Sequence, residues 1–139
     1  MSSISRFGVV GSGSMGLGIA QVAAQAGYDT VLFDIADAQL ERARTTIQKS
    51  LAKLEEKGHL KESADAVLKR LTLTSKFEDL KDRQFVVEAA SENREIKFKL
   101  FQDLDNLLDK DALLMTNTSS ISITEIASQT SRPEKVAGM

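Results

Sequence analysis

The segment Gly11-Ser-Gly13-Ser-Met-Gly16 narrows the folds open to this chain more than any other feature. A G-x-G-x-x-G spacing alone carries little weight. Here it stands between the apolar run Phe7-Gly-Val-Val10 and a stretch of helical period over residues 14–26. That placement predicts a strand, a tight turn and a helix in immediate succession, the opening of a βαβ unit. Each glycine then has a separate task. Gly11 permits the sharp exit from the strand, Gly13 lets a pyrophosphate approach a backbone without a Cβ, and Gly16 lets the helix lie close to the strand. Free N–H groups and partial positive charge at the helix N-terminus complete an anion site. Gly11, Ser12, Gly13, Ser14, Met15 and Gly16 are therefore the candidate dinucleotide contacts.

The rest of the chain keeps the same alternation. Ile19, Ala20, Ala23 and Ala24 give the first helix a small-residue face that can approach a sheet, and Gly27 is placed to stop it. Thr30–Phe33 reads as a second strand. From Asp37, a candidate N-cap, Leu40, Ala43, Ile47, Leu51 and Leu54 recur at spacings of three and four, and Gly58 ends the run. A shorter helix around residues 62–71, with Ala66, Val67 and Leu71 on one side, completes a helical hairpin. Strands are expected over 71–74, 85–88 and 112–115, with a last one beginning at Lys135. A helix over 94–108 should turn Ile96, Leu100, Leu104 and Leu107 inward, and Ser122-Ile-Thr-Glu125 has capping-box spacing. The expected fold class is α/β: a Rossmann-type, doubly wound parallel sheet with the hairpin inserted between strands 2 and 3. Residues 1–139 fill one such domain.

Composition removes other function classes. Eighteen basic against 20 acidic residues leave a net charge of −2, which argues against general nucleic-acid or anionic-membrane binding. No apolar run approaches the roughly 20 residues that span a bilayer. The absence of cysteine excludes a disulfide scaffold, a cysteine zinc site, an iron–sulfur cluster and a thiol nucleophile. It suits a reducing, cytoplasmic setting, and no metal site is expected. The chain holds one histidine, His59, in the Gly58-His-Leu-Lys61 turn of the hairpin.

In an open parallel sheet, ligands gather at the carboxyl ends of the strands. Asp34 closes the second strand 18 residues past Gly16, near the spacing at which a carboxylate accepts hydrogen bonds from an adenosine ribose. It would repel a 2′-phosphate, and the next residue is Ile35 rather than an arginine, so NAD(H) is expected over NADP(H). A solvated turn aspartate is the plainer alternative. Two more polar clusters occupy strand ends: Glu88-Ala-Ala-Ser-Glu92-Asn93 and Thr116-Asn117-Thr118-Ser119-Ser120. Small polar residues also favour turns, Glu92 suits the first turn of a helix, and Lys97 reads equally as a solvated helix lysine.

Four segments carry a resemblance. They are Gly11 to Gly27, Val86-Val-Glu-Ala-Ala-Ser-Glu-Asn93, Asn117-Thr-Ser-Ser-Ile-Ser-Ile123 and Arg132-Pro-Glu-Lys-Val-Ala-Gly-Met139. Together they resemble the amino-terminal domain of 3-hydroxyacyl-CoA dehydrogenases, with the bacterial 3-hydroxybutyryl-CoA branch the nearest. The likeness covers essentially the whole chain. The first segment is shared with many dinucleotide-binding proteins, and the other three in this order are specific.

The resemblance implies roles for matching positions. Residues 11–16 would hold the pyrophosphate of NAD and Asp34 the adenosine ribose. Glu92 and Lys97 would contact the cofactor on its nicotinamide side. Ser119 would touch both substrate and nicotinamide, with Asn117 beside it. Ser50 and Lys57 match positions that touch coenzyme A, and the neighbouring Arg42, Arg44, Lys49, Lys53 and Lys61 make the hairpin basic enough to attract its phosphates. The implied reaction interconverts 3-hydroxyacyl-CoA and 3-ketoacyl-CoA by hydride transfer, with a histidine as general base.

In the family that histidine follows directly after a segment like Val136-Ala-Gly-Met139, and a helical carboxyl-terminal domain comes after it. Neither lies within these 139 residues, and His59 is remote in topology. The expectation is cofactor binding without appreciable turnover. The full enzyme would be a homodimer built mainly by the further domain, leaving this piece monomeric. Two alternatives stay open at this point: a stand-alone NAD(H)-binding or redox-sensing module, and the first domain of another two-domain dehydrogenase.

Overall fold

Six short apolar runs form strands in a computed structural model that describes residues 4–90, 92–118 and 120–139. They are β1 (Arg6–Val10), β2 (Asp29–Phe33), β3 (Leu71–Thr74), β4 (Phe85–Glu88), β5 (Leu113–Thr116) and β6 (Val136–Gly138). All pair in parallel, in the order β3-β2-β1-β4-β5-β6. The order reverses between β1 and β4, whose carboxyl ends lie side by side with Val10 opposite Glu88. A crevice at that reversal is where such sheets take their ligands.

The helices are α1 (Ser14–Gln25), α2 (Asp37–Glu56), α3 (Ala64–Lys69), α4 (Arg94–Leu107) and α5 (Ile123–Ala127). Adjacent strand residues point to opposite faces of the sheet. Val9 and Leu32 therefore pack under Ala20, Ala24, Ala43, Ile47, Leu51 and Val67 of α1, α2 and α3. Val10, Val31, Val86 and Leu114 pack on the other face with Phe101, Leu104 and Ile126 of α4 and α5. The doubly wound sheet and the α2–α3 hairpin between β2 and β3 are as the sequence predicts. Among the described residues, no helix is long and apolar enough to cross a membrane.

Gly27 and Gly58 stop their helices as expected. Both have positive φ, +101° and +74°. The Tyr28 N–H reaches back to the Ala23 carbonyl, and the His59 N–H to that of Leu54, in the pattern of a Schellman stop.

Three local expectations are corrected. Asp37 is the first residue of α2, not its N-cap, which is Ala36. The turn before it is closed instead by Asp34, whose Oδ1 accepts from the Ala36 N–H at 2.9 Å. On α3 the buried residues are Ala64 and Val67, while Ala66 is only half-buried; Leu71 packs with Val67 as expected, but from the start of β3 rather than from the helix. On α4 Leu104 is buried as expected and Leu100 and Leu107 pack half-buried against the same core, but the other fully buried positions are Lys97 and Phe101, and Ile96 is 56% exposed. A lysine stands at the inward position of the first turn, so apolar periodicity alone misplaces that turn.

Candidate dinucleotide site

The glycine loop divides the labour among its glycines. Gly11 has φ +102°, and a Cβ there would come within 2.8 Å of the Ala89 carbonyl and 2.7 Å of Ala90 Cα. A Cβ on Gly16 would collide with the Gly11 carbonyl oxygen. Both glycines are thus demanded by the fold. Gly13 is not: its φ is an ordinary −66°, and an added Cβ would meet nothing within 4 Å. Its bare face opens onto space at the N-terminus of α1. Among the described residues no side chain caps that end, and its first turn carries no acidic residue. Ser14 and Met15 form the first turn of α1, with Met15 half-exposed at 52%. This cradle fits a pyrophosphate, which would fill the Cβ volume and take up free N–H groups.

Asp34 stands at the carboxyl end of β2, across from the loop. Its Oδ2 accepts from the backbone N–H of the buried Ser12 at 2.9 Å and from the Ser12 hydroxyl at 2.7 Å. Partial burial pushes the Asp34 carboxyl up. The N–H groups of Ala36 and Ser12, the Ser12 hydroxyl and the Ile35 N–H together hold it below the usual aspartate range. The group is therefore an anion held in place beside the loop, suited to accept from vicinal hydroxyls and to repel a phosphate. Ile35, next in the chain, is 86% exposed.

Beneath the β4 and β5 ends lies a polar cluster shut off from solvent. Glu88, Lys97 and Thr116 are each 0% exposed. The Lys97 ammonium donates to Glu88 Oε1 at 2.6 Å, to Thr116 Oγ1 at 3.3 Å and to the Asn117 carbonyl at 3.2 Å. The Thr116 hydroxyl donates to the same Glu88 Oε1 at 2.8 Å, and Oε2 accepts from the Ala90 N–H at 2.8 Å. Lys97 is thus not a solvated helix lysine; its charged end is turned into the protein. Glu88 and Thr116 head the two polar strand-end clusters that the sequence picks out, but their burial and their pairing with Lys97 are not read from it. The available signal was a carboxylate ending an apolar strand, with a lysine nine positions on.

Glu92 joins the two strand-end clusters. Its Oε2 accepts from Thr118 Oγ1 at 3.1 Å and Ser120 Oγ at 2.8 Å. Asn117 continues the ladder, its N–H bonded to the Glu88 carbonyl at 2.9 Å. The structure therefore gathers residues 11–16 and Asp34 on one side and Glu92, Lys97 and Asn117 on the other. Ser119 lies outside the described residues.

Ser50 and Lys57 are placed elsewhere. They sit seven residues apart on α2, so they share a face. The Ser50 hydroxyl accepts from Gln21 Nε2 at 2.9 Å, tying α2 to α1. Twenty residues of helix carry Lys57 about 30 Å from the start of α2. His59 follows in the exposed turn at that same far end.

Comparison with known proteins agrees with this geometry. Residues 6–139 match the family model for the 3-hydroxyacyl-CoA dehydrogenase NAD binding domain. A Deinococcus radiodurans protein named "Probable 3-hydroxybutyryl-CoA dehydrogenase" is 46% identical over 134 residues, covering 96% of this chain and 48% of that protein. The 3-hydroxybutyryl-CoA dehydrogenase of Clostridioides difficile is 42% identical over 135 residues, 96% of this chain and 48% of its own length. The crystal structure of (S)-3-hydroxybutyryl-CoA dehydrogenase from Ralstonia eutropha superposes with a TM-score of 0.92 at 39% identity, covering 99% of this chain and 49% of that one. The chain spans about half the length of these relatives.

Proposed function

We propose a function from one fixed point: this chain belongs to the family of 3-hydroxyacyl-CoA dehydrogenase NAD-binding domains. The crevice between the glycine loop, Asp34 and the Glu92–Asn117 side is an NAD(H) site. The chain is the dinucleotide-binding part of an enzyme that interconverts 3-hydroxyacyl-CoA and 3-ketoacyl-CoA, with a short-chain substrate such as 3-hydroxybutyryl-CoA. The observation that carries this reading is Gly13, a glycine that the fold does not need and a pyrophosphate does.

Each residue has its task. Gly11 and Gly16 shape the loop, Gly13 leaves room for the pyrophosphate, and the N–H groups of Ser14 and Met15 face it. Ser12 fixes Asp34, which accepts the adenosine ribose hydroxyls. Glu92 and Asn117 border the nicotinamide end, and Lys97 supports it from below through the Asn117 carbonyl. Ser119 takes the substrate contact that the resemblance assigns to it. When bound, NAD supplies a hydride acceptor for oxidation of the 3-hydroxyl group. Ser50, Lys57 and the basic α2 face serve the phosphates of coenzyme A, in a homodimeric, cytoplasmic enzyme.

Among these 139 residues the one histidine sits at the far end of α2. The 139-residue polypeptide therefore binds NADH without reducing a 3-ketoacyl-CoA. Fluorescence titration with NADH and an acetoacetyl-CoA assay test both halves. Saturable NADH binding with no turnover supports the reading. No binding, or steady NADH oxidation with acetoacetyl-CoA, contradicts it.

A further inference from the structure

We propose that Glu88 is a positioning residue, which sets the nicotinamide-side loop relative to the glycine loop. Its carboxylate is divided between two jobs. Oε2 takes the Ala90 N–H, and Ala89 and Ala90 are the backbone on which Gly11 rests. Oε1 takes the Lys97 ammonium and the Thr116 hydroxyl, and Lys97 in turn holds the Asn117 carbonyl. One buried side chain thus connects the pyrophosphate end of the crevice to the nicotinamide end. It sits at the last residue of β4, beside the reversal in strand order, where a shift of either loop changes the span between them.

Burial makes this connection stiff. An ion pair shut off from water is strongly coupled, and neither partner can turn to solvent when the other is removed. Apolar side chains would fill the same volume, but only a carboxylate can accept on both sides at once. Lys97 and Thr116 occupy its second oxygen from two different elements, α4 and β5, so the register of both is fixed by one atom. This inference rests on the NAD(H) reading of the crevice and extends it to a residue that touches no cofactor.

The test is Glu88→Gln in the 139-residue chain, measured at low temperature where the native state dominates. Glutamine has one accepting oxygen where the carboxylate has two, so the bridge loses either the Ala90 N–H or the Lys97 ammonium, whichever way the amide turns. NADH affinity, which needs both ends of the crevice, should fall about tenfold, the scale of one charge-assisted hydrogen bond. Thr116→Val, nearly isosteric, removes a donor on the Oε1 side only. It should lower NADH affinity about threefold, while affinity for ADP-ribose, which lacks the nicotinamide, stays unchanged. Equal loss of both ligands in Thr116→Val, or no loss of NADH affinity in either variant, overturns the positioning role while leaving the NAD(H) reading intact. Failure of the unaltered chain to bind either ligand overturns both.

Discussion

Ser12 holds Asp34 through two donors, its backbone N–H and its hydroxyl, both on the single oxygen Oδ2 at 2.9 and 2.7 Å. The carboxylate proposed to read the ribose is therefore also the anchor of the glycine loop. In the proposed site, ribose recognition and phosphate binding would be linked through one side chain, whose other oxygen closes the turn into α2.

Asp34→Asn should weaken NADH binding by about tenfold or more, since it removes a charge-assisted acceptor. It should weaken NADPH binding less, because the repulsion of a 2′-phosphate goes with the charge. Competitive titration of the two cofactors against the variant measures the change in their ratio.

The glycines should separate by experiment. Gly13→Ala adds a methyl group where there is open space. Gly13 is the N-cap of α1, where Ala is the poorer residue, but Ala also restricts the unfolded chain, so the two effects oppose. The melting temperature should stay within about 4 °C of the parent, while NADH affinity falls about tenfold or more. Gly16→Ala drives a methyl group into the Gly11 carbonyl oxygen and should cost about 2 kcal/mol, or several degrees in melting temperature. Thermal melts paired with NADH titrations distinguish a binding glycine from a packing glycine.

The line between what the sequence disclosed and what it hid runs through these same residues. Residues 11–16 and Asp34 were legible because each sits in a local pattern whose geometry follows from backbone rules: a strand, a turn, a helix and a fixed spacing. The α2–α3 hairpin was legible through its stripe of Leu40, Ala43, Ile47 and Leu51. The first turn of α4 was not, since Ile96 is exposed and a buried Lys97 stands where the pattern asks for an apolar residue. Its partners Glu88 and Thr116 lie nine and 19 positions away, on two different strands. No local rule brings them together; the parallel register of β4 and β5 does, by setting Glu88 opposite Thr116.

Acid should destabilise the fold in a defined direction. At Asp105, burial pushes the carboxyl up, but the Ser131 N–H, the Arg132 guanidinium and the Ser131 hydroxyl together hold it below the usual range. Asp34 is held low as well. A carboxylate whose folded value is depressed contributes its stability above the unfolded value, near 3.9, and loses it as pH falls through the folded value. Melting temperature should therefore hold steady from about pH 7 to pH 5 and drop below about pH 4.

Asp105→Asn should shrink that acid drop. At neutral pH it should cost about 3 kcal/mol, because Arg132, 4% exposed, loses the carboxylate at 2.7 Å from its Nε. Arg132 would keep its bonds to the carbonyls of Asp105 and Ala112, so the fold survives and melts across pH can be compared.

Residues 11–16 and Asp34 are proposed to form an NAD(H) site. Calorimetric titration of the 139-residue chain with NADH and, under the same salt, with NADPH tests this proposal most directly. One saturable site should take NADH at least about tenfold more tightly than NADPH. Absence of NADH binding, or NADPH bound equally or more tightly, would contradict the proposal.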